Sequence, residues 1–333
     1  MKSCLVTGGA GFIGSSVSEK LIELGIKVII IDNFCDFYNP KIKNKNIEDL
    51  KKVKSLKDIN IDDCIKVYKG DIRDRNILKK IFDKNEIDTV IHFAAMAGVR
   101  SSIENPVLYQ EVNCIGTQNL LEEMRVHDVK KLVMASSSSV YGNCKQIPFK
   151  EDMSVDFSIS PYAATKKANE VMTHVYHKLF NFNVIMLRLF TVYGPKQRPD
   201  LAISKFTRLM TENKEIPMYG NGTTIRDYTY IDDIVEGVIK ACNYVQNNYD
   251  VYEVINLGSS RPISLLDMIN NISEILEIKP NIKHMEMQLG DVERTFADIS
   301  KAENILNYKP KIKFKDGLIN FINWYKENKD RYI

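Results

Sequence analysis

The chain has 333 residues, 44% of them hydrophobic, a length that suits one large or two moderate domains with a sizeable core. Its 46 Lys and Arg against 43 Asp and Glu leave a formal charge of +3, too small a surplus to suggest a nucleic-acid partner. No apolar run reaches membrane-spanning length, no leader with a cleavage site is evident, and the six scattered Cys lack zinc or disulfide-framework spacing, so a cytoplasmic protein with reduced thiols and no membrane partner is expected.

In chain order, the strand Cys4-Leu5-Val6 runs into Gly8-Gly9-Ala10-Gly11-Phe12-Ile13-Gly14, which opens a helix to about Leu24, and Val28-Ile29-Ile30-Ile31 forms a second strand ending at Asp32. This is a βαβ unit for a dinucleotide: Gly8 makes the tight turn, Gly11 lets the backbone approach a pyrophosphate, and Gly14 permits close helix packing. Asp32 at the strand end accepts from a ribose 2′-hydroxyl and repels a 2′-phosphate, which favours NAD over NADP. From Asn39 to Asp63 the sequence turns Lys-, Asn- and Asp-rich, which predicts a surface helix and a long loop, rather than a core element, that need not carry chemistry. The βα rhythm resumes with Cys64-Ile65-Lys66-Val67-Tyr68, a helix from Asp74, the strand Thr89-Val90-Ile91-His92-Phe93, a long helix over 103–126, and Lys131-Leu132-Val133-Met134-Ala135. A helix from Ser160 to Phe180 and the strand Val184-Ile185-Met186-Leu187 follow. Alternation of this kind predicts an α/β fold, a doubly wound parallel sheet of Rossmann type over 1–190. Beyond Gly194-Pro195 the strands shorten, with helices near 200–212, 231–245, 264–277 and 315–328, so a smaller α/β substrate domain is expected over 191–333 with the ligand cleft between the two.

Two features point to chemistry. Tyr162 and Lys166 lie four apart after the helix-start signal Ser160-Pro161, so a phenol and an ammonium share one helical face. The same spacing at Tyr141/Lys145 is broken by Gly142-Asn143, and at Tyr325/Lys329 it falls among charges in the last helix. A tyrosine titrates near pH ~10, so a base at neutrality needs roughly three units of help; one cation supplies about one to three, and an oxidised nicotinamide ring the remainder. Second, Ser136-Ser137-Ser138-Ser139 follows a strand, which puts hydroxyls that both donate and accept at the crevice facing Tyr162.

Together the glycine motif, the serine run and the Tyr-Lys pair resemble the extended short-chain dehydrogenase/reductase family, specifically its nucleotide-sugar epimerases and dehydratases. The resemblance extends through Gly70-Asp71-Ile72-Arg73-Asp74, His92-Phe93-Ala94-Ala95 and Arg226-Asp227-Tyr228-Thr229-Tyr230. It implies Ser137, Tyr162 and Lys166 as the catalytic set. It further implies Gly8, Gly11, Phe12, Ile13, Gly14, Asp32, Asn33, Ala94 and Ala95 as NAD contacts, Asp71 and Ile72 at the adenine, and Lys166 on the nicotinamide ribose. It also implies a homodimer formed by the helices near 103–126 and 160–180.

Members that eliminate water or decarboxylate carry an acid where Ser138 and Ser139 stand, and a serine cannot supply that proton transfer at neutral pH, so the sequence favours an epimerase. Ala97-Gly98-Val99-Arg100, Thr191-Val192-Tyr193-Gly194-Pro195 and Arg198-Pro199-Asp200 resemble UDP-glucuronate 4-epimerases. Arg198 suits that substrate because a planar guanidinium meets a carboxylate through two parallel bonds. The likeness gives Arg100, Ser138, Ser139, Thr191 and Arg198 to the sugar, Arg226 to the diphosphate and Asp291 to the uridine ribose. The expected activity is therefore NAD-dependent 4-epimerisation of UDP-glucuronate to UDP-galacturonate through a 4-keto sugar, in the service of polysaccharide biosynthesis. UDP-glucose or UDP-N-acetylglucosamine epimerisation and nucleotide-sugar dehydration stand as alternatives.

Overall fold

Seven apolar runs form one parallel sheet in a computed structural model that describes residues 1–56, 64–286 and 292–332. The strands are β1 (Ser3–Thr7), β2 (Lys27–Asp32), β3 (Ile65–Lys69), β4 (Thr89–His92), β5 (Lys131–Ser137), β6 (Asn183–Leu189) and β10 (Tyr252–Leu257), in the order β10-β6-β5-β4-β1-β2-β3. β1, β4 and β6 are buried along their whole length because helices cover both faces, which is why they read as continuous apolar runs. The order reverses between β1 and β4. Both strands end at the same edge, with Thr7 paired to His92, so the loops that follow diverge and leave a crevice.

The helices between these strands are α1 (Phe12–Glu23), α2 (Pro40–Leu50), α3 (Arg75–Lys84), α4 (Val99–Glu104), α5 (Pro106–Gln110), α6 (Gly116–Val126) and α7 (Pro161–Phe180). The single helix expected over 103–126 is segmented. Pro106 lacks an N–H, so the chain restarts at Asn105, and a π-helical turn over Glu111–Ile115 then precedes α6. α2 is likewise more than a surface element, since Ile42, Ile47 and Leu50 are buried together with Lys43 and Asn46.

Two small sheets complete the molecule: β7 (Thr191–Tyr193), β9 (Ile225–Tyr230) and β11 (Pro262–Ser264) form one, β8 (Ile216–Tyr219) and β12 (Ile282–Met285) the other. With them go α8 (Ala202–Thr211), α10 (Leu265–Leu276), α11 (Ser300–Leu306) and α12 (Phe314–Glu327). By contrast α9 (Ile231–Asn247) packs on α1, and β10 extends the large sheet beside β6 from Tyr252/Val184 to Leu257/Leu189. The chain thus crosses back over residue 190 to finish its first sheet, because the apolar strand ending Val254-Ile255-Asn256-Leu257 pairs where β6 would otherwise be an edge.

Candidate active site

A cavity of about 490 Å³ opens at the crevice. Its floor is the glycine turn. Gly8 has φ 69°, and a Cβ there would stand 2.8 Å from the backbone nitrogen of Ala94. A Cβ on Gly14 would stand 2.2 Å from the Gly8 carbonyl oxygen, so the turn and the first turn of α1 pack as only glycines allow. This bare backbone at a helix N-terminus fits a dinucleotide pyrophosphate. Asp32 is buried at the end of β2; its carboxylate accepts from the Ala10 N–H at 3.2 Å and the Phe34 N–H at 2.8 Å, and the Lys43 ammonium stands 3.6 Å away. Lys43 was not evident from the sequence, where its polar neighbours read as solvated surface. Across the same end, Asn33 donates to Asp71 at 3.0 Å, and Arg73 grips both Asp71 oxygens at 3.0 Å. Burial alone would raise the Asp71 carboxyl, but the bonds from Arg73 and Asn33 outweigh it and bring it down to about 2.

The reacting end is built by α7 lying over β5. Ser160 caps α7 through the Ala163 N–H at 3.2 Å, and Pro161 occupies the first turn, where no N–H is needed. The buried Lys166 ammonium donates to the Ala135 carbonyl at 2.8 Å and lies 5.9 Å from the centre of the Tyr162 ring. One turn further on, Glu170 accepts from Ser136 at 2.7 Å and takes both arms of Arg188 at 2.9 Å, so a buried ion pair fixes α7 to β5 and β6. The π-helical turn contributes Asn113, whose carbonyl accepts from Asn169 at 2.9 Å and whose side-chain amide donates to Thr165 at 3.0 Å. Tyr109, wholly buried, sets its ring edge-on to Tyr162 with centres 6.2 Å apart.

Opposing influences act on the Tyr162 phenol. Burial raises the phenol, while a hydrogen bond with Ser137 and the positive charge of Arg198 pull it down, and the balance stays above the ordinary tyrosine value. Lys166 is itself lowered from 10.5 to about 8 by burial. Its ammonium ties α7 to the sheet close to Tyr162, and Arg198, on the loop after β7, adds a further positive charge acting on the phenol. Arg198 also lies against the ring of Phe37, 5.1 Å from its centre.

Gly8, Gly11, Phe12, Ile13, Gly14, Asp32, Asn33, Asp71, Ile72, Ala94 and Ala95 line this cavity together with Ser137, Ser138, Ser139, Tyr162, Lys166, Thr191 and Arg198. Arg100 and Arg226 do not line it. The Arg100 guanidinium stacks on Tyr219, 4.6 Å from the ring centre, and Arg226 donates from β9 to the Ile225 and Glu293 carbonyls at 2.9 and 3.4 Å. Asp291 lies outside the described residues. His92, at the end of β4, bonds Thr7 at 2.6 Å and Thr117 at 2.9 Å and is held neutral by burial, which lowers it to about 3. Among the described residues no group of three or more His, Cys, Asp or Glu is arranged to hold a metal ion.

The family model for GDP-mannose 4,6 dehydratase matches residues 5–321. The chain is 43% identical to a UDP-glucuronate 4-epimerase of Thermodesulfobacterium geofontis over 325 residues, 97% of this chain and 96% of that one. It superposes with a TM-score of 0.89 on the UDP-glucuronic acid 4-epimerase of Bacillus cereus solved in complex with UDP-glucuronic acid and NAD, at 35% identity over 98% of this chain and 99% of that one. A UDP-glucose 4-epimerase of Thermotoga maritima with UDP-glucose gives a TM-score of 0.86 at 28% identity, covering 98% and 99%. With a dinucleotide cradle, a Ser-Tyr-Lys set and a matched model along nearly its full length, the chain belongs to the GDP-mannose 4,6 dehydratase family of extended short-chain dehydrogenases/reductases.

Proposed function

We propose that this protein is an NAD-dependent UDP-glucuronate 4-epimerase, an isomerase that interconverts UDP-glucuronate and UDP-galacturonate. The observation that carries the choice of sugar is the Arg198 guanidinium in the same cavity as Tyr162, with serines at 138 and 139 where an acid would serve elimination. The relatives that bear this activity support it.

Bound NAD supplies a reversible hydride acceptor at C4 of the sugar. The chain does the rest. Tyr162, hydrogen-bonded with Ser137, takes the proton of the 4-hydroxyl and later returns it, and the field of Arg198 favours the phenolate that does so. Ser138, Ser139, Thr191 and Arg198 hold the C5 carboxylate. A 4-keto hexuronate is a β-keto acid, so gripping its carboxylate as an anion also opposes loss of carbon dioxide. Arg226 holds the diphosphate and Asp291 the uridine ribose. Residues 1–190 supply the dinucleotide half and 191–333 the nucleotide-sugar half, with β10 lent back to the first sheet.

The same reading brings a cytoplasmic setting, a role in supplying an acidic glycosyl donor for polysaccharide biosynthesis, and a homodimer. Support for the dimer comes from an exposed apolar stripe: Val171, Val175 and Leu179 on α7 are 55%, 39% and 67% exposed, beside Ile115 at 55%. Incubation of holoenzyme with UDP-glucuronate, products assigned by proton NMR, tests the activity.

A further inference from the structure

Arg198 is held by a residue of its own loop. Its Nε donates to Asp200 Oδ1 at 3.0 Å and its Nη2 to Asp200 Oδ2 at 2.6 Å, a bidentate pair closed within the turn that follows Gly194. The two partners are unequally placed: the Arg198 side chain is 17% exposed and that of Asp200 43%. Arg198 lines the cavity and Asp200 does not. Asp200 therefore meets the guanidinium from outside, along the Nε/Nη2 edge, and the Nη1/Nη2 end is the edge turned to a ligand. A guanidinium has two edges that each suit a carboxylate, so one can be anchored while the other reads. Phe37 against the flat face restrains rotation out of that plane.

We propose that Asp200 is a positioning residue for substrate choice: it clamps the outer edge of Arg198 so that the inner edge meets the C5 carboxylate of an acidic sugar. This rests on the reading that the substrate is UDP-glucuronate. Two effects of Asp200 oppose each other. Its negative charge repels a second carboxylate, but it is half in solvent and on the far side of the guanidinium, so that repulsion is screened. Without it, a long side chain with many rotamers loses both bonds that fix its direction. Alignment is the larger effect.

The test uses NAD-loaded protein carrying Tyr162→Phe, so that ligands bind without turning over, titrated calorimetrically with UDP-glucuronate and UDP-glucose. Adding Asp200→Ala should weaken UDP-glucuronate about tenfold and UDP-glucose less than about twofold. Asp200→Asn, which keeps the shape and one acceptor but not the charge, should weaken UDP-glucuronate about threefold. Tighter UDP-glucuronate binding in Asp200→Ala, equal weakening of both sugars, or unchanged UDP-glucuronate affinity in Asp200→Asn overturns the role given to Asp200. A parent protein that binds UDP-glucuronate no more tightly than UDP-glucose overturns the substrate reading itself, and the role of Asp200 falls with it.

Discussion

Tyr162 is a phenol whose proton affinity is contested by its surroundings: burial raises it, and the Ser137 bond and the charge of Arg198 lower it. Tyr162→Phe removes the group that moves the proton, so turnover should fall by about two to four orders of magnitude while UDP-glucuronate binding by calorimetry stays within a fewfold. Arg198→Ala should weaken UDP-glucuronate by ~2 kcal/mol or more and leave UDP-glucose nearly unchanged; equal losses would remove the carboxylate from the account. Lys166 gives a pH dependence. Its folded value of about 8 lies below 10.5, so between these the unfolded chain binds the extra proton and the burden of burying this amine eases as pH rises. Catalysis runs the other way, since a neutral amine no longer supports the phenolate. The kcat/KM profile should therefore fall on an alkaline limb starting near pH 8, and a plateau reaching 10.5 would contradict it. At this scale the sequence showed the residues whose spacing carries a mechanism, Tyr162 and Lys166. It did not show that Lys166 spends its proton on the Ala135 carbonyl or that Lys43 stands beside Asp32, because those depend on how two elements distant in sequence are packed.

Among the elements, α7 carries the site, and its fixity comes from the Glu170–Arg188 pair buried under it, both side chains 3% exposed. Glu170→Ala would leave Arg188 buried without its carboxylate and free Ser136 at the end of β5, so stability to urea should fall by about 3–5 kcal/mol and the serine loop should loosen with it. Loss of less than about 1 kcal/mol, the range of an exposed pair, would show that the pair is not what anchors the helix. The ends of α7 were legible because Ser160-Pro161 is a start signal with a mechanism. The π-helical turn at Glu111–Ile115 was not: no residue type announces it, and the stretch reads as unbroken helix until Asn113 is seen bonded to Asn169 and Thr165 across the interface with α7. The parallel sense of strands β1 to β6 followed from the βα rhythm, whereas β10 did not, since its place beside β6 is a long-range pairing that a local pattern cannot express.

For the molecule as a whole, the reversal of strand order between β1 and β4 fixes where the dinucleotide cradle opens, and the loop after β7 brings Arg198 to that opening. The apolar stripe on α7 runs along the face opposite Tyr162 and Lys166, so a partner packed there would brace the helix that carries them. The proposed dimer should sediment as a monomer once Val175→Glu and Leu179→Glu are introduced; a monomeric parent protein would remove the dimer, and a dimer that persists in the variant would move the interface elsewhere. This cavity should epimerise an acidic UDP-sugar at C4 without net redox change. That is tested most directly by following UDP-glucuronate with the NAD-loaded protein by proton NMR. The UDP-galacturonate anomeric signal should grow to a stable ratio with no accumulation of NADH. Conversion of UDP-glucose or UDP-N-acetylglucosamine with UDP-glucuronate untouched, or appearance of a 4-keto-6-deoxy product, would contradict it.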